Sequence, residues 1–216
     1  MLAIFKREFK SYFQNVIGWL FVAALLAVYG LYFYVYNLKN GYPYISYDLN
    51  GIGFIMMIAV PILTMRSLSD ERKTKTDQLM LTSPVSVGRI VAGKYFAMAA
   101  VYTIDIALFA LSPLVLSIYG KVALSEAYVA LFGYWLYGLS CIAVGLFISS
   151  ISESVIISAI LTFTALFLSY MMQSITGLIS SSGNLLTKVL NCFDLYTPFE
   201  NFVSGCFSVT SAAYYV

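Results

Sequence analysis

The chain has 216 residues, of which 61% are apolar or aromatic and 10% are charged, and its formal net charge is +2. Soluble domains carry about 25% charged residues, so this composition predicts an integral membrane protein made of α-helices. The near-neutral charge gives no reason to expect nucleic acid as a partner. The sequence has three cysteines and no histidine, which argues against metal sites and histidine-based catalysis.

Residues 1–15 are predicted to form an amphipathic helix ahead of the first membrane span. Its large apolar side chains recur at helical spacing, at Leu2, Phe5, Phe9 and Phe13. Charged residues lie between them, at Lys6, Arg7, Glu8 and Lys10. A helix with one apolar and one charged face suits the membrane surface, so we expect an interfacial helix. The alternative is a plain basic anchor that flanks the first span.

Five apolar stretches are each long enough to cross a bilayer, which takes about 20 residues in a helix. They predict membrane spans at about residues 16–36, 51–67, 90–119, 127–149 and 155–178. The fourth stretch contains Gly133, Gly138 and Gly145, which would let neighbouring helices approach closely. We therefore predict one domain, residues 1–216, built as a bundle of transmembrane helices.

Lysine and arginine residues fall mainly on one side of the predicted spans. Nine lie on the side of the N-terminus: Lys6, Arg7, Lys10, Arg66, Arg72, Lys73, Lys75, Arg89 and Lys94. Three lie on the other side: Lys39, Lys121 and Lys188. Because positively charged loops stay in the cytoplasm, we predict a cytoplasmic N-terminus for a multi-pass protein of a prokaryotic plasma membrane.

The loop at residues 66–94 is the only substantial one predicted on the inner side. Four of its residues share one helical stripe: Thr76, Leu79, Met80 and Ser83. Charged residues, among them Glu71 and Arg72, lie nearby. Leucine and methionine exposed to the cytosol are unusual, so the stripe favours docking into a groove on another protein. The alternative is that it packs on the membrane surface or on the chain's own helices.

The region at residues 180–210, after the fifth span, is predicted to form two short helices on the outer side. Thr197, Pro198 and Glu200 fit a capping box in which Thr197 is the N-cap. The helix that follows would cover residues 198–207, with Phe202 on its apolar face. The uncharged stretch after Glu200 is too short to cross a bilayer, so we expect this helix outside or at the outer interface.

Two of the three cysteines, Cys192 and Cys206, lie in this outer region. A disulfide between them would persist in an oxidising compartment. In a reducing compartment both would be buried thiols. The sequence leaves the two readings open.

Asp105 is the only ionisable residue deep in a predicted span, about 22 Å from either end of the third helix. A charge there is costly unless it is paired or hydrated. One reading is a substrate or proton site. The other is a hydrogen-bonded residue in the bundle or at a subunit interface, with Tyr102 and Ser112 on the same face.

Two segments of the inner loop carry a family resemblance. They read DERKTKTDQLMLTSPVS at residues 70–86 and IVAGKY at residues 90–95. The acidic and basic start, the run from Leu79 to Pro84 and the Gly-Lys pair resemble the loop between the second and third spans of type-2 ABC exporter permeases. The resemblance covers essentially the whole chain and is greatest to the short permeases of the gliding-motility type. Lys75 stands where that family usually has glycine, which predicts a differently wound turn before Thr76.

The resemblance implies that residues 66–94 include a coupling helix that rests on a separate ABC ATPase subunit. The implied contact residues are Asp70, Glu71, Arg72, Thr76, Leu79, Met80 and Ser83. It also implies that two permease subunits, identical or different, form the pathway within membrane lipids, and that the outer helices after span five are re-entrant. The chain has no G-x-x-x-x-G-K-[ST] phosphate loop, so ATP and Mg are expected on the partner. A sixth span is expected beyond residue 216.

The main hypothesis is therefore the membrane subunit of an ATP-driven exporter, without an ATPase of its own. The alternative is a proton-coupled secondary transporter that uses Asp105. A lone intramembrane charge and the absence of paired inverted repeats in the sequence argue against that alternative. A membrane-embedded hydrolase would need a nucleophile with its base, and no convincing pair is present. Lipid, peptide, drug and polysaccharide all stay open as substrates.

Overall fold

The computed structural model describes residues 2–75, 86–120, 122–179, 193–205 and 208–215. Within these ranges the chain is helical and contains no strand, which confirms the all-α class. The helices, in chain order, are α1 (Leu2–Gln14), α2 (Val16–Phe33), α3 (Ser46–Thr64), α4 (Ser69–Lys73), α5 (Val87–Phe109), α6 (Ser112–Tyr119), α7 (Leu124–Ile151), α8 (Val155–Ile179), α9 (Thr197–Val203) and α10 (Val209–Tyr215). A π-helical segment, Tyr34–Lys39, continues α2.

Among the residues that the structure describes, five helical stretches are long and apolar enough to cross a membrane. They are Val16–Lys39, Ser46–Lys73, Val87–Tyr119, Leu124–Ile151 and Val155–Met172. These stretches confirm the five predicted spans. The second helix begins at Ser46, earlier than predicted, and Pro61 lies inside it without ending it.

The third span is broken between α5 and α6. Pro113 has no backbone N–H, and its ring crowds the carbonyl four residues earlier, that of Phe109, where α5 ends. The Ser112 hydroxyl donates a hydrogen bond of 2.7 Å to that carbonyl and so satisfies it. The uninterrupted helix predicted for residues 90–119 is therefore wrong, and Asp105 lies four residues before the end of α5.

Helix α7 lies at the centre of the bundle and packs against α3, α5, α8 and α9. Its three glycines each face a different neighbour. A Cβ atom would lie 2.4 Å from the Phe202 side chain at Gly133, 2.3 Å from the Tyr102 ring at Gly138 and 2.5 Å from the Thr64 hydroxyl at Gly145. Real Cβ atoms do not approach so closely, so these positions confirm the predicted close approach of neighbouring helices.

Helix α1 packs along α5 and α2 through its aromatic face. The Phe9 and Phe13 rings are 5.0 Å apart, and Phe13 meets the Trp19 ring edge-on at 5.4 Å. The chain turns sharply between α1 and α2, where a Cβ atom on Gly18 would lie 2.5 Å from the Tyr12 carbonyl oxygen. The predicted helix is thus present, and its placement in a membrane surface stays a prediction.

Candidate functional site

A buried lysine joins three helical segments at the end of the bundle where α1 lies. Lys94 is only 2% exposed, and its ammonium donates hydrogen bonds of 2.9 Å to the Ser67 carbonyl and 2.7 Å to Glu71 Oε1. Glu8 Oε1 lies 3.5 Å from the same nitrogen. We call Glu8, Ser67, Glu71 and Lys94 the Lys94 cluster. A buried charge is tolerated only when it is paired in this way.

Gly93, the residue before this lysine, lets α1 lie close to α5. A Cβ atom there would lie 3.0 Å from Ile4 Cγ2 and 3.5 Å from the Phe5 backbone nitrogen. The Gly-Lys pair therefore has two physical roles. Gly93 leaves room for α1 to pack closely, and Lys94 binds Glu8 of α1. Sequence reasoning missed this contact, although Glu8 is the only acidic residue within α1.

Helix α4 is also tied to the C-terminal end of α7. The backbone N–H groups of Leu68 and Ser69 both donate to Ser149 Oγ, at 3.2 Å each. The Arg72 guanidinium donates a 3.0 Å hydrogen bond to the Ile151 carbonyl. Thus α4 is held by side chains and backbone from two sides, at the start of the predicted coupling loop.

The predicted coupling residues fall into three groups. Glu71 turns inward to Lys94, whereas Asp70 and Arg72 are exposed. The remaining four, Thr76, Leu79, Met80 and Ser83, lie outside the described residues.

Lys75 takes the left-handed backbone conformation, with φ of 56°. Glycine adopts this conformation without steric cost, whereas other residues do so rarely. The lysine that replaces the expected glycine therefore keeps a backbone of the kind glycine favours, and the prediction of a differently wound turn finds no support at this residue.

A polar cleft of about 420 Å³ opens beside the Lys94 cluster. Its charged lining residues are Arg7, Glu8, Arg66, Asp70, Glu71 and Lys94. Tyr12 lines it too, and burial, followed by the nearby Glu8 carboxylate, raises the pKa of the Tyr12 phenol above its usual 10.0. The phenol is therefore neutral at pH 7.

Asp105 is fully buried within this chain. Neither of its carboxylate oxygens has a hydrogen-bond partner among the described residues. The Tyr102 hydroxyl instead donates to the Tyr134 carbonyl at 2.7 Å, and the Ser112 hydroxyl bonds Tyr29 and the Phe109 carbonyl. Among the described residues, Asp105 therefore makes no hydrogen bond to Tyr102 or Ser112, the two polar residues expected on its face of the helix. Its role, as a transport site or as a packing residue, stays a prediction.

The predicted outer helix is present as α9, from Thr197 to Val203, with Pro198 in its first turn. Its cap differs from the prediction. Asp194 Oδ1 accepts hydrogen bonds of 3.0 Å from the backbone N–H groups of Tyr196 and Thr197, and Asp194 Oδ2 accepts one from the Thr197 hydroxyl. Thr197 is already helical, so its assignment as the N-cap of a box with Glu200 is wrong. The Asp194 carboxylate, three residues earlier, accepts the hydrogen bonds at the start of α9 instead.

The rest of the outer region is described only in part. Phe202, predicted on the apolar face, is fully buried against Gly133 of α7. Residues 180–192 and Cys206 lie outside the described residues, and with them the predicted first short helix and the disulfide.

Asn37 and Asp48 form a buried polar pair that the sequence analysis did not predict. The Asn37 amide donates a hydrogen bond to Asp48 Oδ2, and these residues are 5% and 0% exposed. Asp48 lies just before the second predicted span at residues 51–67. It lies in the first turn of α3, where an acidic residue is favoured by the helix dipole, and its position just before an apolar run was the available signal.

Comparison with known proteins gives one match. A family model described as an ABC-2 family transporter protein matches residues 31–213. No curated protein matches the chain. No solved structure matches it either.

Proposed function

Because this chain belongs to the ABC-2 family of transporter proteins, we propose that it forms the substrate pathway of an ATP-driven exporter. Its five apolar helices and its family make it a multi-pass membrane protein and the membrane permease component of an ABC transporter. In this family that component is typically non-catalytic and implies an ABC ATPase partner. Export as the direction of transport is part of our proposal.

The observation that supports coupling is the way α4 is held. Glu71 binds Lys94 of α5, and Lys94 also pairs with Glu8 of α1. On the other side, Ser149 and the Ile151 carbonyl hold α4 to α7. A displacement of the loop that begins at α4 would therefore move α1, α5 and α7 together, as force transmission from an ATPase requires.

The exposed side chains of α4 supply the docking surface in this proposal. Asp70, Arg72 and Lys73 are all exposed and lie next to the stripe that begins at Thr76. Charged flanks around an apolar anchor resemble the polar rim and apolar centre of ordinary protein interfaces. The partner ATPase would bind ATP and Mg, and each cycle of hydrolysis would pull on this loop.

The remaining features of the assembly belong to the same proposal. Two permease subunits, identical or different, would enclose the pathway in a prokaryotic plasma membrane, with α1 lying in the cytoplasmic surface. Helices α9 and α10 would be re-entrant from the outer side. The greater likeness to gliding-motility permeases stays a prediction from sequence.

The experiment isolates the full chain with its co-purifying ATPase and reconstitutes the complex in lipid vesicles. We expect the ATPase rate of the complex to differ from that of the ATPase alone. We also expect a substitution in the ATPase phosphate loop to abolish activity. No associated ATPase, or an ATPase rate that the permease leaves unchanged, would contradict the proposal.

Proton coupling through Asp105 is the second candidate, and it rests on the buried carboxylate that lacks partners among the described residues. It predicts that a protonophore and Asp105→Asn both abolish transport while ATP is saturating. An ATP-driven permease keeps its activity in a protonophore, because its energy comes from the partner.

A further inference from the structure

We propose that the polar cleft beside the Lys94 cluster binds the head group of a zwitterionic phospholipid with a primary ammonium, of the phosphatidylethanolamine class. This site would lie at the junction of α1, the start of α2 and α4. It would border the loop that docks the ATPase and share Asp70 with the proposed docking surface. The proposal concerns a bound lipid and does not depend on the substrate that is transported.

The cleft has equal numbers of positive and negative side chains, but two of them, Arg66 and Asp70, form no ion pair with a described residue. Lys94, Glu71, Glu8 and Arg7 satisfy one another, with Arg7 lying 2.6 Å from Glu8. Arg66 lines the same cleft, is exposed, and makes no hydrogen bond or ion pair with any described residue.

Asp70 lines the cleft as well, and its carboxylate likewise has no partner in the described ranges. A guanidinium and a carboxylate that share one cleft and have no partner in the described ranges match a ligand with both signs of charge. Arginine binds phosphate through two parallel N–H donors. A primary ammonium supplies three donors for a carboxylate, whereas a quaternary ammonium supplies none.

Apolar surface runs from the cleft along α2, which favours a lipid over a soluble ligand. Ile17 lines the cleft at the first turn of α2. Leu20 and Ala24 follow at helical spacing and are exposed, Leu20 to 48%. A head group held by Arg66 and Asp70 could therefore place its acyl chains against this stripe.

The volume fits the same ligand. About 420 Å³ accommodates a phosphoethanolamine group with water, since ligand sites of drug-sized molecules occupy about 300–1,000 Å³. The cleft also opens where the chain turns from α1 into the first membrane span, at Asn15 and Ile17. That is the depth at which phospholipid head groups lie, if α1 rests on the membrane surface.

The test measures lipid retention by the full chain. The protein is reconstituted in nanodiscs of mixed phosphatidylethanolamine, phosphatidylcholine and phosphatidylglycerol, extracted in mild detergent, and analysed by native mass spectrometry. We expect phosphatidylethanolamine to be retained selectively. Arg66→Gln should lower that retention about tenfold or more, because it removes charge-assisted hydrogen bonds. Asp70→Asn should remove the preference for phosphatidylethanolamine over phosphatidylcholine.

Arg89→Gln is the matched control, since Arg89 is an exposed arginine at the start of α5 that is not part of the cleft. It should retain lipid as the unmodified chain does. Equal retention by Arg66→Gln, or no selectivity among the three lipids, would overturn the proposal. Displacement of the lipid by soluble glycerophosphoethanolamine at equal concentration would also overturn it, by assigning the cleft to a soluble ligand. Loss of the partner ATPase from Arg66→Gln with lipid retention unchanged would assign the cleft to the ATPase instead.

Discussion

Replacing Lys94 with methionine should release α1 from the bundle. Methionine keeps the length and the apolar stem of the side chain but removes the ammonium. Two carboxylates, Glu8 and Glu71, would then face each other beside the Ser67 carbonyl without the ammonium that bridges them, although the exposed Arg7 would still pair with Glu8.

The size of the effect follows from the contacts. Hydrogen bonds to charged groups contribute about 1.5–3 kcal/mol each, and removing one partner of a buried ion pair costs about 3–5 kcal/mol. The Glu8 and Glu71 side chains are 16% and 19% exposed, so water recovers part of their solvation. We therefore expect Lys94→Met to destabilise the docking of α1 by about 3 kcal/mol, the lower end of that range.

Hydrogen exchange of the α1 amides measures this docking directly, because local opening sets the exchange rate. A loss of about 3 kcal/mol corresponds to about hundredfold faster exchange. Lys73→Met removes an exposed lysine from α4 and should leave α1 unchanged. Adding Glu8→Gln and Glu71→Gln to Lys94→Met should restore most of the protection, since neutral groups can share this space at little cost. Unchanged exchange in Lys94→Met, or no rescue by the added glutamines, would refute the reasoning.

Three further substitutions test other parts of the chain. The double substitution Leu79→Asp and Met80→Asp should abolish coupling to the ATPase while the protein still inserts. Each apolar anchor contributes about 2 kcal/mol or more at an interface hot spot. Normal complex assembly with an unchanged ATPase rate would contradict this prediction. Gly138→Ala should destabilise the bundle by about 1–3 kcal/mol, because its Cβ would overlap a tyrosine ring of α5. Gly30→Ala has open space around it and should keep or slightly raise the thermal unfolding midpoint, because alanine favours the helix over glycine. Equal midpoints for the two variants would disprove the packing argument. Asp194→Ala should lower the stability of α9 by about 0.5–2 kcal/mol through loss of its cap. Faster proteolysis near α9 would measure this loss. A variant that resists the protease as well as the unmodified chain does would show that the cap contributes nothing.

Class, span number and several local features could be read from the sequence, because they depend on residues close together in the chain. Five long apolar stretches are enough to predict five spanning helices. Glycines at the packing face of α7 and the short helix after Thr197 were also predicted correctly. The break after Phe109 also depends on nearby residues. Pro113 was its signal in the sequence, and the prediction of one continuous helix did not take it into account.

Which polar side chains pair with one another was decided only by the tertiary structure. Lys94 finds Glu8 and Glu71, and Asp48 finds Asn37, across separations that no short-range pattern encodes. For Asp105 the sequence left a transport site and a hydrogen-bonded packing residue open, and the structure shows it buried without a partner among the described residues.

The physical reason is that a membrane helix meets apolar surroundings on every side. In a soluble protein, polar residues mark the outer face of a helix, but lipid and protein core are similar solvents for an apolar side chain. Helix α2 shows the consequence, since Phe21 and Leu25 are buried whereas Leu20 and Leu31 are exposed to 48% and 64%. The sequence by itself therefore determined that α2 spans the membrane, and only tertiary packing decided which of its leucines face the bundle.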